Sequence, residues 1–149
     1  MLEYKCGSPR FYSSIETCVS HLAHSADVPG GYSRWLVVLT DTVDFECVNA
    51  KNHFDKESPQ RAEAAVARVT QLMASVHGLH LVVVDASAIP GANFNPKHSL
   101  WPTWRRLAQR LTDDVGEANV GLSIQAADVG EIDDAFEKIA GAMSGGAAG

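Results

Sequence analysis

Residues 35–44 read Trp-Leu-Val-Val-Leu-Thr-Asp-Thr-Val-Asp. The run from Trp35 to Leu39 is short, β-branched and apolar at successive positions. Such a run suits a strand buried on both faces, as in a parallel sheet. It stops abruptly at Thr40-Asp41, with Asp44 close behind. Open α/β sheets gather ligands at the carboxyl ends of their strands, so Asp41 is the first carboxylate to single out. Asp is also a common loop opener, and that local reading of Asp41 and Asp44 stands beside the functional one.

Around this strand the chain alternates. Ser8-Pro9 reads as a helix start, with Phe11, Ile15, Cys18, Val19 and Leu22 on one face and an end near Ala26, before Pro29-Gly30-Gly31. After the strand, residues 43–57 are polar and read as a loop. Ser58-Pro59 repeats the helix signal. Ala62, Ala65, Val66, Val69, Met73 and Val76 line the face of this second helix, and Gly78 stops it. Leu79 to Asp85 forms another apolar run ending in a carboxylate. Residues 86–99 make a long loop with Pro90, Gly91 and Pro96, a candidate contact loop. A third helix begins near Pro102, with Trp104, Leu107, Ala108 and Leu111 inward and Arg105, Arg106 and Arg110 outward. Val120, Leu122 and Ile124 then alternate with Gly121, Ser123 and Gln125, as in a strand near a sheet edge. Asp128 and Glu131 open the last helix as a capping box, whose apolar face carries Ile132, Ala135, Phe136, Ile139, Ala140 and Met143. Ser144 to Gly149 read as a disordered tail. The order α-β-α-β-α-β-α predicts parallel strands joined by crossover helices, in one domain spanning residues 1–143.

Composition narrows the function classes. A net charge of −6 over 149 residues argues against nucleic acid and anionic membranes as partners. No apolar run reaches the roughly 18 residues of a membrane helix, and residues 1–5 have no signal-peptide core. Cys6, Cys18 and Cys47 lack metal-ligand spacing and fit free thiols in a reducing, cytoplasmic setting. His21 and His24 lie three apart on the first helix. No third ligand stands at matching spacing, so they read as a surface or half-buried pair.

Three segments together resemble the von Willebrand factor type A domain. Gly7-Ser8-Pro9-Arg10-Phe11-Tyr12-Ser13-Ser14-Ile15 is similar to that family's Gly-Gly-Thr-x-Leu-x-x-Ala-Ile helix opening. Residues 35–44 resemble its strand ending in Thr-Asp-Gly-x-Asp. Ser123 to Ala140 resembles its last strand and helix, with Ala-Phe-x-x-Ile-Ala at Ala135 to Ala140. The resemblance implies a three-layer, Rossmann-like, mostly parallel sheet flanked by helices and truncated on its N-terminal side. It also implies a metal-ion-dependent adhesion site for Mg²⁺. That site is built from an Asp-x-Ser-x-Ser strand, a Thr in a second loop and the Asp of Thr-Asp-Gly. Asp41 matches the last of these. The Thr position falls on Pro9, with Ser8 one residue away as a substitute ligand, and Thr42 replaces the Gly. The Asp-x-Ser-x-Ser strand has no counterpart. Asp85-Ala86-Ser87 has the Asp-x-Ser start, but it follows the Asp41 strand and lacks the second Ser, so it reads as the family's penultimate strand.

The expectation is therefore a non-enzymatic protein-interaction module with a degenerate Mg²⁺ site, ligands Asp41 and Ser8, no required cofactor and a protein partner. In the family the absent strand pairs with the 35–40 strand. Its loss leaves an apolar edge open to self-association. The alternatives are a Mg²⁺-dependent phosphoryl-transfer enzyme using Asp41 and Asp85, and a truncated domain with no independent function. The phosphate loop Gly-x-x-x-x-Gly-Lys and the nucleophile turn Gly-x-Ser-x-Gly are both missing.

Overall fold

The computed structural model describes residues 10–24, 32–41, 55–90, 106 and 109–145. The strands are β1 (Arg34–Thr40), β2 (Leu79–Asp85) and β3 (Val120–Gln125). The helices are α1 (Phe11–His24), α2 (Ser58–Ala74) and α4 (Val129–Gly145), with residues 109–113 forming a short helical segment, α3. The sheet order is β1-β2-β3 and both pairings are parallel. Successive parallel strands lying side by side, joined by helices on one face, are what right-handed crossovers produce. This is a small α/β, Rossmann-like arrangement.

Two apolar clusters sandwich the sheet. On one face Phe11, Tyr12, Ile15 and Val19 of α1, Ala62 to Met73 of α2, and Leu111 pack on Leu79, Leu81 and Val83 of β2. On the other, Ala135 and Ile139 of α4 pack on Val82 and Val84, with Trp35, Val37 and Ile124 partly buried beside them. The doubly buried strand is thus β2. β1, expected to be buried on both faces, is half-buried throughout and reaches exposure at Leu39. Among the described residues β1 has a strand neighbour on one side only, and that explains the difference.

α2 buries the face its spacing predicts, Ala62, Ala65, Val66, Val69 and Met73. Its first residue is Ser58, with Glu57 at the N-cap. The positive-φ Gly78 (φ 71°) lies beyond the end of α2, in the turn that delivers β2. α1 departs from its predicted face. Cys18 is exposed, and Tyr12 is buried in its stead, edge-on to Phe11 at 5.1 Å. The Ser8-Pro9 start lies outside the described residues.

Among the described residues β3 is an edge strand, as its alternation predicts, but its apolar side is only partly covered, Ile124 packing towards α4. Val120 and Leu122 are about half exposed, while Gly121 and Ser123 turn inward. The cause is α3, which runs so close behind β3 that a Cβ on Gly121 would lie 1.5 Å from the Thr112 carbonyl oxygen. Only glycine fits there. The apolar side of β3 faces α4, and one helix about 10 Å wide cannot cover three strands spaced about 4.8 Å apart. The margin is an apolar groove of ≈ 470 Å³ lined by Trp35, His80, Val120, Leu122 and Lys138, among others. Trp35 stacks on His80 within it, ring centres 4.2 Å apart. Phe136 and Met143, expected inward, are likewise exposed on α4.

The predicted capping box of α4 forms with one change of partner. Glu131 N–H donates to Asp128 Oδ1 at 2.9 Å, but the Glu131 carboxylate reaches past Asp128 to accept from Ala127 N–H at 2.6 Å. α4 runs on through Gly145, so Ser144 and Gly145 are helical, not part of a disordered tail. Among the described residues no helix is long and apolar enough to cross a membrane.

Candidate functional site

The carboxyl end of the sheet collects the acidic residues singled out from the sequence. Thr40 and Asp85 are register partners at the tips of β1 and β2, and Asp41 follows Thr40 directly. The backbone is stitched here: Ala86 N–H donates to the Thr40 carbonyl at 2.8 Å, and Ala126 N–H to the Asp85 carbonyl at 2.9 Å. α2 returns from β1, so its N-terminus, with Asp55, Ser58 and Arg61, also belongs to this end. Asp128 joins it as the cap of α4, the helix that follows β3.

Three of these carboxylates hold backbone in place. Asp85 is buried at 4 % exposure, and its Oδ1 accepts from the Ser87 N–H at 2.9 Å. That two-residue reach is an Asx turn, and it ends the strand. Asp55 Oδ1 accepts from the Glu57 N–H at 2.9 Å and from Arg61 Nη2 at 2.7 Å. The buried Ser58 Oγ accepts from the Asp55 N–H at 2.9 Å and from Arg61 Nη2 at 3.0 Å. This knot fixes the turn that leads into α2, whose N-cap residue Glu57 makes no side-chain cap of its own. Asp128 caps α4 as described. Asp41 is half-buried at the end of β1.

A Mg²⁺ ion takes near-octahedral oxygen ligands and needs carboxylates free to turn toward it. Asp85 spends an oxygen on its turn. Ser8, the expected second ligand, lies outside the described residues. Among the described residues no three His, Cys, Asp or Glu side chains come together as a metal cluster. The donors described at this end do not fit a complete Mg²⁺ shell.

The Asp41–Asp85 neighbourhood was legible from two apolar runs that each end in Asp. The Asp55–Ser58–Arg61 knot was not. Its signal is the Asp three residues before a Ser-Pro helix start, which reads as a closed turn only once Arg61 is known to fold back. Of the outward arginines of the third helix, Arg110 joins Glu63 of α2 at 2.6 Å and Asp114 at 3.0 Å. Hydrogen bonds to Asp114 and then Glu63 raise its pKa above the ordinary value. Arg106 is exposed, and Arg105 lies outside the described residues. His21 and His24 sit on the outer side of α1, where His24 Nδ1 is 2.7 Å from the Ser20 carbonyl.

Comparison with known proteins returns no matching family model, no matching curated protein and no matching solved structure.

Proposed function

We propose that this chain is a non-enzymatic protein-interaction module of the von Willebrand factor type A kind, with a metal site that no longer operates. The observation that carries the reading is the sheet. Three consecutive parallel strands stand in the order β1-β2-β3, and Thr40-Asp41 ends the strand on its open flank. One half of a doubly wound sheet has this order, its innermost strand bordering the other half. On this reading the Thr-Asp of the resemblance would lie beside the switch point, where ligands of such sheets gather. Asp85 and Asp55 are engaged in turns and Asp128 in a helix cap, which favours contact by loops and surface at this end.

The test is a calorimetric titration of the purified protein with Mg²⁺ and Mn²⁺, with Asp41→Ala in parallel. The expected result is no saturable binding in either protein at millimolar metal. Saturable binding that disappears in Asp41→Ala would overturn the degenerate-site reading. A second reading has one observation in its favour: the Thr40–Asp85 register brings the end of β1, with Asp41 next in the chain, beside the Asp85 end of β2, a placement that would suit phosphoryl transfer with Mg²⁺. Mg²⁺-dependent turnover of an aryl phosphate, abolished by Asp41→Asn, would establish that reading in place of the first.

A further inference from the structure

We propose that β1 pairs antiparallel with β1 of a second copy of this chain, in a register centred on Val37. The inference does not depend on the metal-site reading. It begins with the directions of the backbone groups in β1. Arg34 N–H donates to the Gly78 carbonyl, and the Thr40 carbonyl accepts from Ala86 N–H, so both ends of the strand bond toward β2. Along a strand these directions alternate. Arg34, Leu36, Val38 and Thr40 therefore address β2, while Trp35, Val37 and Leu39 aim their N–H and C=O groups at the open edge. No strand among the described residues lies there.

An uncharged, apolar row of this kind templates another strand, and its symmetry names the partner. In an antiparallel pair the residues that exchange hydrogen bonds must both point outward. A two-fold axis through Val37 matches Val37 with Val37 and Trp35 with Leu39 of the other copy, and so uses all three outward residues. Sliding the register by two residues strands at least one of them. The side chains agree. Leu39 is half exposed, at 51 %, and this register lays the other copy's Trp35 across it, an aromatic–aliphatic cross-strand pair. Charge agrees as well. β1 begins with Arg34 and is followed by Asp41, so antiparallel pairing brings the basic start of each strand beside the acidic end of the other. Parallel pairing would set like beside like. Two three-stranded sheets become one of six, and the contact is isologous, which closes the assembly at two copies.

Sedimentation equilibrium of the whole chain from about 1 to 100 µM spans the range in which moderate-affinity dimers appear. The expected result is a monomer–dimer equilibrium in that range. Leu39→Lys places a charge against Trp35 twice in the symmetric contact. It is expected to raise the dissociation constant on the order of a hundredfold, with far-UV circular dichroism unchanged. Register is read by cross-linking in a Cys6, Cys18 and Cys47→Ser background. Val37→Cys sits on the axis, with Cα atoms about 5.5 Å apart, inside disulfide reach, and is expected to oxidise to a covalent dimer. Leu39→Cys is more exposed, but its two copies stand several residues apart across the axis, and it is expected to stay monomeric. A monomer at every concentration, or a Leu39→Lys dimer of unchanged affinity, would overturn the proposal. So would Leu39→Cys cross-linking as fast as Val37→Cys.

Discussion

Gly121→Ala asks whether α3 and β3 are as close as the structure has them. A Cβ at position 121 would meet the Thr112 carbonyl oxygen at 1.5 Å, its carbon at 2.4 Å and its Cα at 2.8 Å. All three are backbone atoms, so no side chain can swing aside. The two backbones would have to part by about 2 Å, and over-packing of that kind costs roughly 3 kcal/mol or more. Against a total stability on the order of 5–15 kcal/mol, that is a large fraction. For a chain of this size it corresponds to a fall in Tm of roughly 6–12 °C. Gly141→Ala is the matched control, because a Cβ there meets nothing within 4 Å. In α4 the same change should stabilise by about 0.5–1 kcal/mol. Thermal and urea unfolding followed by circular dichroism, with both variants beside the parent, read the contrast. If Gly121→Ala lowers Tm by less than about 2 °C, the close approach of α3 to β3 is refuted, and with it the account of why Val120 and Leu122 face the thinly covered side.

Asn119 is a second structural staple. Its Oδ1 accepts from the Leu79 N–H at 2.8 Å, and its Nδ2 donates to the Val115 carbonyl at 2.9 Å and the Met73 carbonyl at 3.2 Å. Asn119→Ala strands these partly buried backbone groups and should cost roughly 2–4 kcal/mol in urea unfolding; a loss within error would mean water replaces the amide. The Thr70 hydroxyl is buried without a hydrogen-bond partner, so Thr70→Val should raise the free energy of unfolding by about 1 kcal/mol. A destabilised Thr70→Val would show that the hydroxyl has a partner in solution. Arg110 pairs on the surface, and Arg110→Ala should leave the midpoint unchanged; a clear loss would place Arg110 in a tighter contact between α3 and α2 than the structure has.

Periodicity carried the parts of the fold whose burial is decided within one element. The inward residues of α2 repeat every three or four positions, and all of them are buried, because that helix lies over the centre of the sheet. Periodicity says which residues share a face but not which face is covered. Val120 and Leu122 were correctly grouped with Ile124, but that they lie half exposed was not legible for that reason. Cys18 and Tyr12 are another such case: both border the apolar stripe of α1, and only the position of α2 beside it decides which one is buried. The strand-end carboxylates were legible because Asp breaks an apolar run visibly. What Asp85 does was not, because an Asx turn depends on the path of the backbone after Ala86. The need for glycine at 121 was hidden for a similar reason. It arises from a carbonyl nine residues away in sequence, brought against β3 by the return of the chain.

Among the described residues the sheet is clad by three helical elements on one side and by one on the other, and such a sheet does not come apart evenly. α4 is held by two fully buried side chains, Ala135 and Ile139, whereas β2 is gripped from both faces. Amide protons of α4 should therefore exchange with solvent through a partial opening that leaves the β1-β2-β3 ladder intact, at a free energy well below that of global unfolding. When α4 lifts, the stacked Trp35–His80 pair, already partly exposed in the groove, and the buried Val82 become more open to water together. Among the described residues the loosest cover thus lies over the Trp35–His80 stack, and the time that floor spends uncovered is set by α4.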